Sequence, residues 1–332
     1  MTQEQQPSTP LAAPIWREEA EAWIHAAVER LGLRTTGSMV EPHASPWSTV
    51  LRVPTTAGDL WFKAPNARRE AALTSALIRY TPTCVLPLLA VDIERGWMLM
   101  PDGGTRLREL VRGDRDFRDW LPVLPVYAEL QITLAAHVDE LLGLGVPDYR
   151  LAALPAQLPR LLQDTEILRI DREPDLTAAE HAQLWELVPR VEELAAALAA
   201  YGIPETLNHG DLHDGNVFAG TDGPRFFDWG DATLSHPFYS LRTTFVSVEI
   251  SLDLPDGAGE LPELRDAYLE PWTRLHPREE LVAAFGLARK LAPLDAAVRW
   301  YKEVVRMDAE QREEYALPVP ALLQELLDHV MR

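Results

Sequence analysis

The chain of 332 residues predicts an α+β fold of two lobes, a small N-terminal lobe with an antiparallel sheet and a larger, mainly helical C-terminal lobe. Three observations carry that expectation. Short β-rich runs at 36–40, 48–54 and 60–64 alternate with turn-rich segments at 42–47 and 55–58, an antiparallel beginning. Pro101-Asp-Gly-Gly104 then breaks the pattern, as a hinge between lobes would. Beyond it apolar residues recur at helical spacing, as at Leu130, Leu134, Val138 and Leu141. The expected division is a disordered tail over 1–13, an N-terminal lobe over 14–101 and a C-terminal lobe over 102–332.

In order, 14–33 reads as a helix with Trp16, Ala20, Ile24, Val28 and Leu31 on one face and Gly32 at its end. The three strands follow, then a helix over 68–78. Segments 85–93 and 97–100 read as the last strands of the first lobe. Helices are expected over 105–111, 126–143, 154–168 and 177–201, and again over 238–249, 261–272, 278–307 and 320–331. Between the two helical groups, apolar flanks at Leu207, Val217 and Phe218 bracket a polar loop, and 225–228 reads as a short strand ending in an acid.

Hydrophobic residues make up 47% of the chain, ample for a packed core, and no run of about 18 apolar residues suggests a membrane span. Residues 1–10 lack the basic start and apolar core of a signal peptide. Cys84 is the only cysteine, so no intrachain disulfide forms, and a cytoplasmic protein is expected. The net charge of −20 disfavours nucleic acid and anionic membranes as partners. It suits cationic small molecules, and equally it suits plain solubility.

The loop reads His209-Gly-Asp-Leu-His-Asp-Gly-Asn-Val217, and Phe226-Phe-Asp-Trp-Gly-Asp231 follows closely. Asp211 and Asn216 have four residues between them, with His209 two before the Asp, the H-x-D-x-x-x-x-N spacing of a kinase catalytic loop. Asp228-Trp-Gly230 has the form D-x-G, where a kinase holds its metal-binding Asp. On these residues the chain resembles the aminoglycoside phosphotransferase and choline kinase family, which is similar to protein kinases in fold.

The resemblance implies transfer of the γ-phosphate of ATP, or GTP, with Mg2+, to a hydroxyl of a small acceptor, cationic or neutral. Asp211 would accept the hydroxyl proton, with His209 bracing the loop. Asn216 and Asp228 would hold the metal, since magnesium takes hard oxygen ligands. Lys63, in Trp61-Phe-Lys-Ala64, matches the strand lysine that neutralises the α/β-phosphates; the plainer alternative is an edge residue facing water. Glu70 would pair with it, unless 68–70 is only a solvated helix start. The backbone over 98–102, which includes Met98, Met100 and Asp102, would meet adenine, although a Met in a strand is commonly core. No glycine-rich phosphate loop is present; Ser45 and Ser48 could serve instead, or be turn residues. His213 and Asp214 are read as supporting groups, and Asp231 as a substrate contact or a cap.

The chain departs from the family at one point. Ser240 stands in Ser235-His-Pro-Phe-Tyr-Ser-Leu241 where an Asp is common, which implies weaker activity or another group in that role. Residues 249–280 hold nine acids against three arginines, with Tyr268, Trp272, Trp300 and Tyr301 nearby in sequence. That mixture suits a cation, or is a solvated face. Two other functions compete: a nucleotide-binding pseudokinase, and a metal-dependent hydrolase built on His209, Asp211, His213 and Asp214. Aminoglycosides, other antibiotics, choline, homoserine and small sugars all fit as acceptors.

Overall fold

The structure, a computed structural model, describes residues 14–331 apart from 46, 173 and 174. The expected tail over 1–13 lies outside the described residues. The chain divides into two compact units, Met1–Thr105 with Phe218–Gly230, and Arg106–Val217 with Asp231–Arg332.

The first unit opens with helix α1 (Pro14–Arg30) and an antiparallel five-stranded sheet. Its strands are β1 (Val40–Ala44), β2 (Ser48–Thr55), β3 (Gly58–Pro65), β4 (Ala90–Asp92) and β5 (Trp97–Pro101), in the order β1-β2-β3-β5-β4. Helix α2 (Arg69–Tyr80) follows β3. Alternation along β3 separates two layers. Leu60, Phe62 and Ala64 pack with Ala20, Ile24 and Val28 of α1. Lys63 points to the opposite face, and its register partners are Val50 on β2 and Met98 on β5. Because β3 lies between two strands, Lys63 is not an edge residue.

Two strand expectations are corrected. Within 36–40 only Val40 is in a strand, and that strand is Val40–Ala44, which reaches into the segment 42–47 expected to turn. β1 is an edge strand with a register shift between Val40 and His43, and an edge tolerates the missing N–H of Pro42. The long strand over 85–93 shrinks to Ala90–Asp92, because Val85 and Leu86 pair with Phe226 instead. Phe226 ends β8 (Gly223–Phe226), which forms a two-stranded sheet with β7 (Val217–Gly220).

The second unit is helical around one small sheet. It comprises α3 (Leu107–Asp114), α4 (Val123–Leu134), α5 (Val138–Gly143), α6 (Gln157–Leu162), α7 (Thr165–Leu168) and α8 (Ala178–Ala199). Strands β6 (Thr206–Asn208) and β9 (Thr233–Ser235) pair antiparallel. Then come α9 (Ser240–Leu252), α10 (Pro262–Leu269), α11 (Arg278–Val304), α12 (Ala309–Tyr315) and α13 (Pro318–Met331). β9 and α12 are additions to the expected elements. The helix expected over 126–143 is broken by a 3-10 turn at Ala135–His137. The helix over 154–168 divides where Asp164 caps the N-terminus of α7 by accepting from the Ile167 N–H.

By length and composition Phe117–Gly143 matches a membrane span, at a mean hydropathy of 1.2. In the fold it is interrupted by 3-10 turns, and Leu124, Tyr127, Leu130 and Leu134 of α4 are buried in the core of the unit.

Candidate active site

In the first unit, β3 and α2 place Lys63 and Glu70 face to face. Lys63 Nζ donates to Glu70 Oε1 at 2.7 Å and Oε2 at 2.9 Å, and to Asp228 Oδ1 at 2.6 Å. Lys63 is 7% exposed and Glu70 2%, whereas the Asp228 side chain is 45% exposed. Burial alone would push the Lys63 ammonium down, but the charges of Asp228 and Glu70 outweigh it and hold the pKa above the ordinary lysine value. The reading of Glu70 as a solvated helix start is thereby corrected. Asp228 has φ +66°, left-handed backbone that a non-glycine residue seldom adopts. The carbonyl of Gly230 accepts from Arg69 Nη2 at 2.8 Å, anchoring the turn beyond it.

A small cleft beside this triad is lined by Lys63, Glu70, Thr74, Met98, Met100 and Phe227. Met98 and Met100 are buried in one cluster with Ala71, Leu86 and Phe218. Phe218 stacks on Phe227 with ring centroids 4.5 Å apart. A Cβ on Gly103 would stand 2.2 Å from the Phe218 ring, so this close approach requires glycine. Asp102 spends Oδ1 on the Gly104 N–H at 2.8 Å, and Ser45 spends its hydroxyl on the N–H groups of Trp47 and Ser48, both at 3.2 Å. Both side chains close their own turns, the plainer of the two sequence readings for Ser45.

In the second unit the loop leaving β6 carries Asp211. His209 is fully buried, and its Nδ1 accepts the Asp211 N–H at 3.3 Å. Asn216 Nδ2 donates to the Asp211 carbonyl at 3.0 Å and to Asp211 Oδ2 at 3.3 Å. His213 Nε2 lies 3.3 Å from the same Oδ2. Nδ1 of His213 accepts from the Gly215 N–H at 2.9 Å and faces Arg108 Nη2 at 3.1 Å, so the ring hydrogen sits on Nε2 and points at Asp211. Burial raises the Asp211 pKa, but His213, His209 and Arg299 more than offset it and hold the carboxyl below its ordinary value. Gly210, at φ +81°, turns the chain where a Cβ would lie 2.1 Å from the Asp231 carbonyl oxygen.

Asp214 is fully buried, bonded to Arg108 Nε at 2.6 Å and to the Ser251 hydroxyl. It is therefore structural, and among the described residues no group of three or more His, Cys, Asp or Glu side chains is placed to hold a metal. The hydrolase constellation is not assembled. Two of the four aromatics near the acidic segment are not placed to meet a cation. Tyr268 and Trp272 are core residues with no exposure, and the Tyr268 hydroxyl bonds Gln131 and Pro237. Several of the acids over 249–280 have local work. Glu249 accepts from the Gly259 N–H, Glu260 pairs with Arg289, and Asp266 and Glu270 pair with Arg278.

Sequence reasoning missed Arg108, Tyr127 and Gln131, which reach the loop from α3 and α4, and it undervalued His213. Only His213 had a signal, its place inside the motif.

The model of the phosphotransferase enzyme family matches residues 44–279. The chain belongs to that family. It is thus a phosphotransferase, and the resemblance drawn from Asp211, Asn216 and Asp228 holds. Solved structures agree on the kinase-like two-lobed fold. A choline/ethanolamine kinase family protein from Mesorhizobium loti superposes with a TM-score of 0.56 at 18% identity, covering 95% of this chain and 98% of that one. A choline kinase from Cryptosporidium parvum gives 0.59 at 12% identity, with 96% and 93% covered. A macrolide 2'-phosphotransferase from Brachybacterium faecium gives 0.54 at 17% identity, with 90% and 97% covered. No curated protein matches the chain.

Proposed function

We propose that this phosphotransferase moves the γ-phosphate of ATP, in preference to GTP, to a hydroxyl of a small acceptor. The observation that carries the reading is the Asp211 carboxylate. Both donors that orient it fall on Oδ2, which reserves Oδ1 for the proton of an attacking hydroxyl. A carboxyl held below its ordinary pKa is ionised at neutral pH and ready to accept. Lys63, itself restrained by Glu70 and Asp228, is the cation for the nucleotide phosphates.

Magnesium fits the donor set of a carboxylate and an amide oxygen. The Asn216 amide nitrogen is spent on Asp211, so its oxygen is the atom a metal would take, and Asp228, half-exposed in the first unit, would offer a carboxylate. When bound, the ion neutralises charge on the transferring phosphoryl group. The kinases of choline and the macrolide phosphotransferase with this fold support a choline-like alcohol or a macrolide-like antibiotic as acceptor classes.

The test is paired. A panel of hydroxyl compounds is screened for ADP release, and Asp211→Asn is compared with the wild type on a responsive acceptor. A positioned general base is worth about 10²–10⁴-fold in rate, so turnover should fall by that factor while magnesium-nucleotide affinity by calorimetry holds. Full activity in the variant refutes the base assignment. Absence of magnesium-dependent ATP binding by the wild type refutes the function.

A further inference from the structure

Five buried, uncharged side chains meet beneath the loop that carries Asp211, from four different elements. Tyr127 and Gln131 come from α4, Asn208 from the end of β6, Ser240 from the start of α9 and Tyr268 from α10. All are at most 3% exposed. The Tyr127 hydroxyl oxygen accepts the His209 N–H at 2.9 Å, and it lies 3.0 Å from Ser240 Oγ. Ser240 Oγ donates to Asn208 Oδ1 at 2.9 Å, and that oxygen also accepts the Gly210 N–H at 3.1 Å. Gln131 Nε2 donates to the Leu207 carbonyl at 3.0 Å and to Ser240 Oγ at 3.3 Å, with the Pro237 carbonyl at the longer distance of 3.5 Å.

Counting hydrogens fixes the direction of the links at Ser240. The single hydrogen of Ser240 is committed to Asn208. Its two lone pairs must then take Tyr127 O–H and Gln131 N–H, so the serine is saturated as one donor and two acceptors. Burial pushes the Tyr127 hydroxyl up to about 12, so it stays a donor at any working pH. On the opposite side the Gln131 Oε1 accepts from the Tyr268 hydroxyl. The N–H groups of His209 and Gly210, immediately before Asp211, are thus both tied to a network with no formal charge.

We propose that Tyr127, Gln131, Asn208 and Ser240 are positioning residues, an uncharged relay centred on the Ser240 hydroxyl that sets the backbone of the loop bearing Asp211. The proposal rests on the phosphotransfer reading above for its catalytic consequence. Ser240 is therefore not a weakened aspartate. An aspartate there would have no hydrogen for Asn208 Oδ1, and turning the Asn208 amide over would set its NH2 against the Gly210 N–H. Both arrangements leave a buried group opposed, which costs more than an absent bond.

The test uses the full chain with Tyr127→Phe, Ser240→Ala and Ser240→Asp. Amide hydrogen exchange is followed at 207–211, with the five-stranded sheet as internal reference, beside kcat, acceptor KM and magnesium-ATP affinity. Tyr127→Phe keeps the ring and loses one hydroxyl, so folding survives even if the serine variants are damaged. Expected are faster exchange at His209 and Gly210, and a kcat lowered about 10- to 100-fold with nucleotide affinity unchanged, because small misplacements of a reacting group cost rate on that scale. Ser240→Asp should lower kcat also. Unchanged exchange in Tyr127→Phe overturns the relay, faster exchange with full kcat overturns its positioning role, and an unimpaired Ser240→Asp overturns the hydrogen count. If no acceptor is turned over by the wild type, the phosphotransfer reading fails, and the exchange result alone still decides the relay.

Discussion

His213 and Asp214 are neighbours in one motif, and sequence reading grouped them, yet their side chains do different work. His213 aims Nε2–H at Asp211, whereas Asp214 is buried against Arg108 and Ser251. Spacing reveals which residues share a loop; it does not reveal which side a side chain takes when the partner arrives from 100 residues away. A hydrogen bond to a charged group is worth about 1.5–3 kcal/mol, so His213→Leu should lower kcat by about tenfold or more. Glutamine offers an N–H at a similar reach, and His213→Gln should recover most of the loss. Equal losses in the two variants would show that the ring acts by packing alone. His236 makes a different prediction. Burial without a charged partner takes its pKa down to about 3. The unfolded chain takes up this proton near pH 6.5 and the folded chain does not, so the contribution of this residue to stability falls as pH drops below about 6.5. Nδ1 caps the Phe238 N–H, a bond that asparagine can imitate. His236→Asn should therefore lose less melting temperature than the wild type between pH 7.5 and 5, and parallel losses would contradict the assignment.

At the scale of elements, β2, β3, α2 and β5 were legible because each carries its period within one short run. β1 was shifted because Pro42 reads as a turn, and only edge position makes it tolerable in a strand. The long β4 was overcalled because pairing of Val85 and Leu86 with Phe226, 140 residues on, leaves no local trace. The β3–α2 pair was legible in kind but not in consequence. Lys63 is no detachable phosphate hook, since it neutralises a Glu70 that is almost wholly buried. Removing one partner of a buried pair costs about 3–5 kcal/mol. Lys63→Met should thus lower the melting temperature as well as abolish nucleotide binding. Lys63→Met/Glu70→Leu removes both charges and should restore much of the melting temperature while nucleotide binding stays lost. If the double variant melts no higher than the single one, the ion pair is not what the single variant breaks.

For the whole molecule the dominant quantity is the net charge of −20, and it would act with opposite sign on the proposed ATP and on a cationic acceptor. ATP is an anion approaching an anion. Around its expected site Lys63 contributes one positive charge against the two negative ones of Glu70 and Asp228, a local balance of −1 without the metal. Salt screens charges over about 8 Å at physiological ionic strength, so added salt should ease nucleotide entry. A cationic acceptor would be drawn by the same field, and salt should weaken its approach. Over 249–280, Tyr268 and Trp272 are buried and Asp266, Glu270 and Glu260 already face arginines, so these five residues make no local site for a cation. Attraction for a cation would then be a property of the field rather than of a local pocket, and such an interaction is sensitive to ionic strength. Steady-state kinetics from about 0.02 to 0.5 M salt at saturating magnesium should show the KM for ATP level or falling. The acceptor KM should rise with salt if the acceptor is cationic and stay flat if it is neutral. An ATP KM that climbs with salt would mean that the nucleotide site is locally positive, and that Lys63 is less compensated than its two carboxylate partners imply.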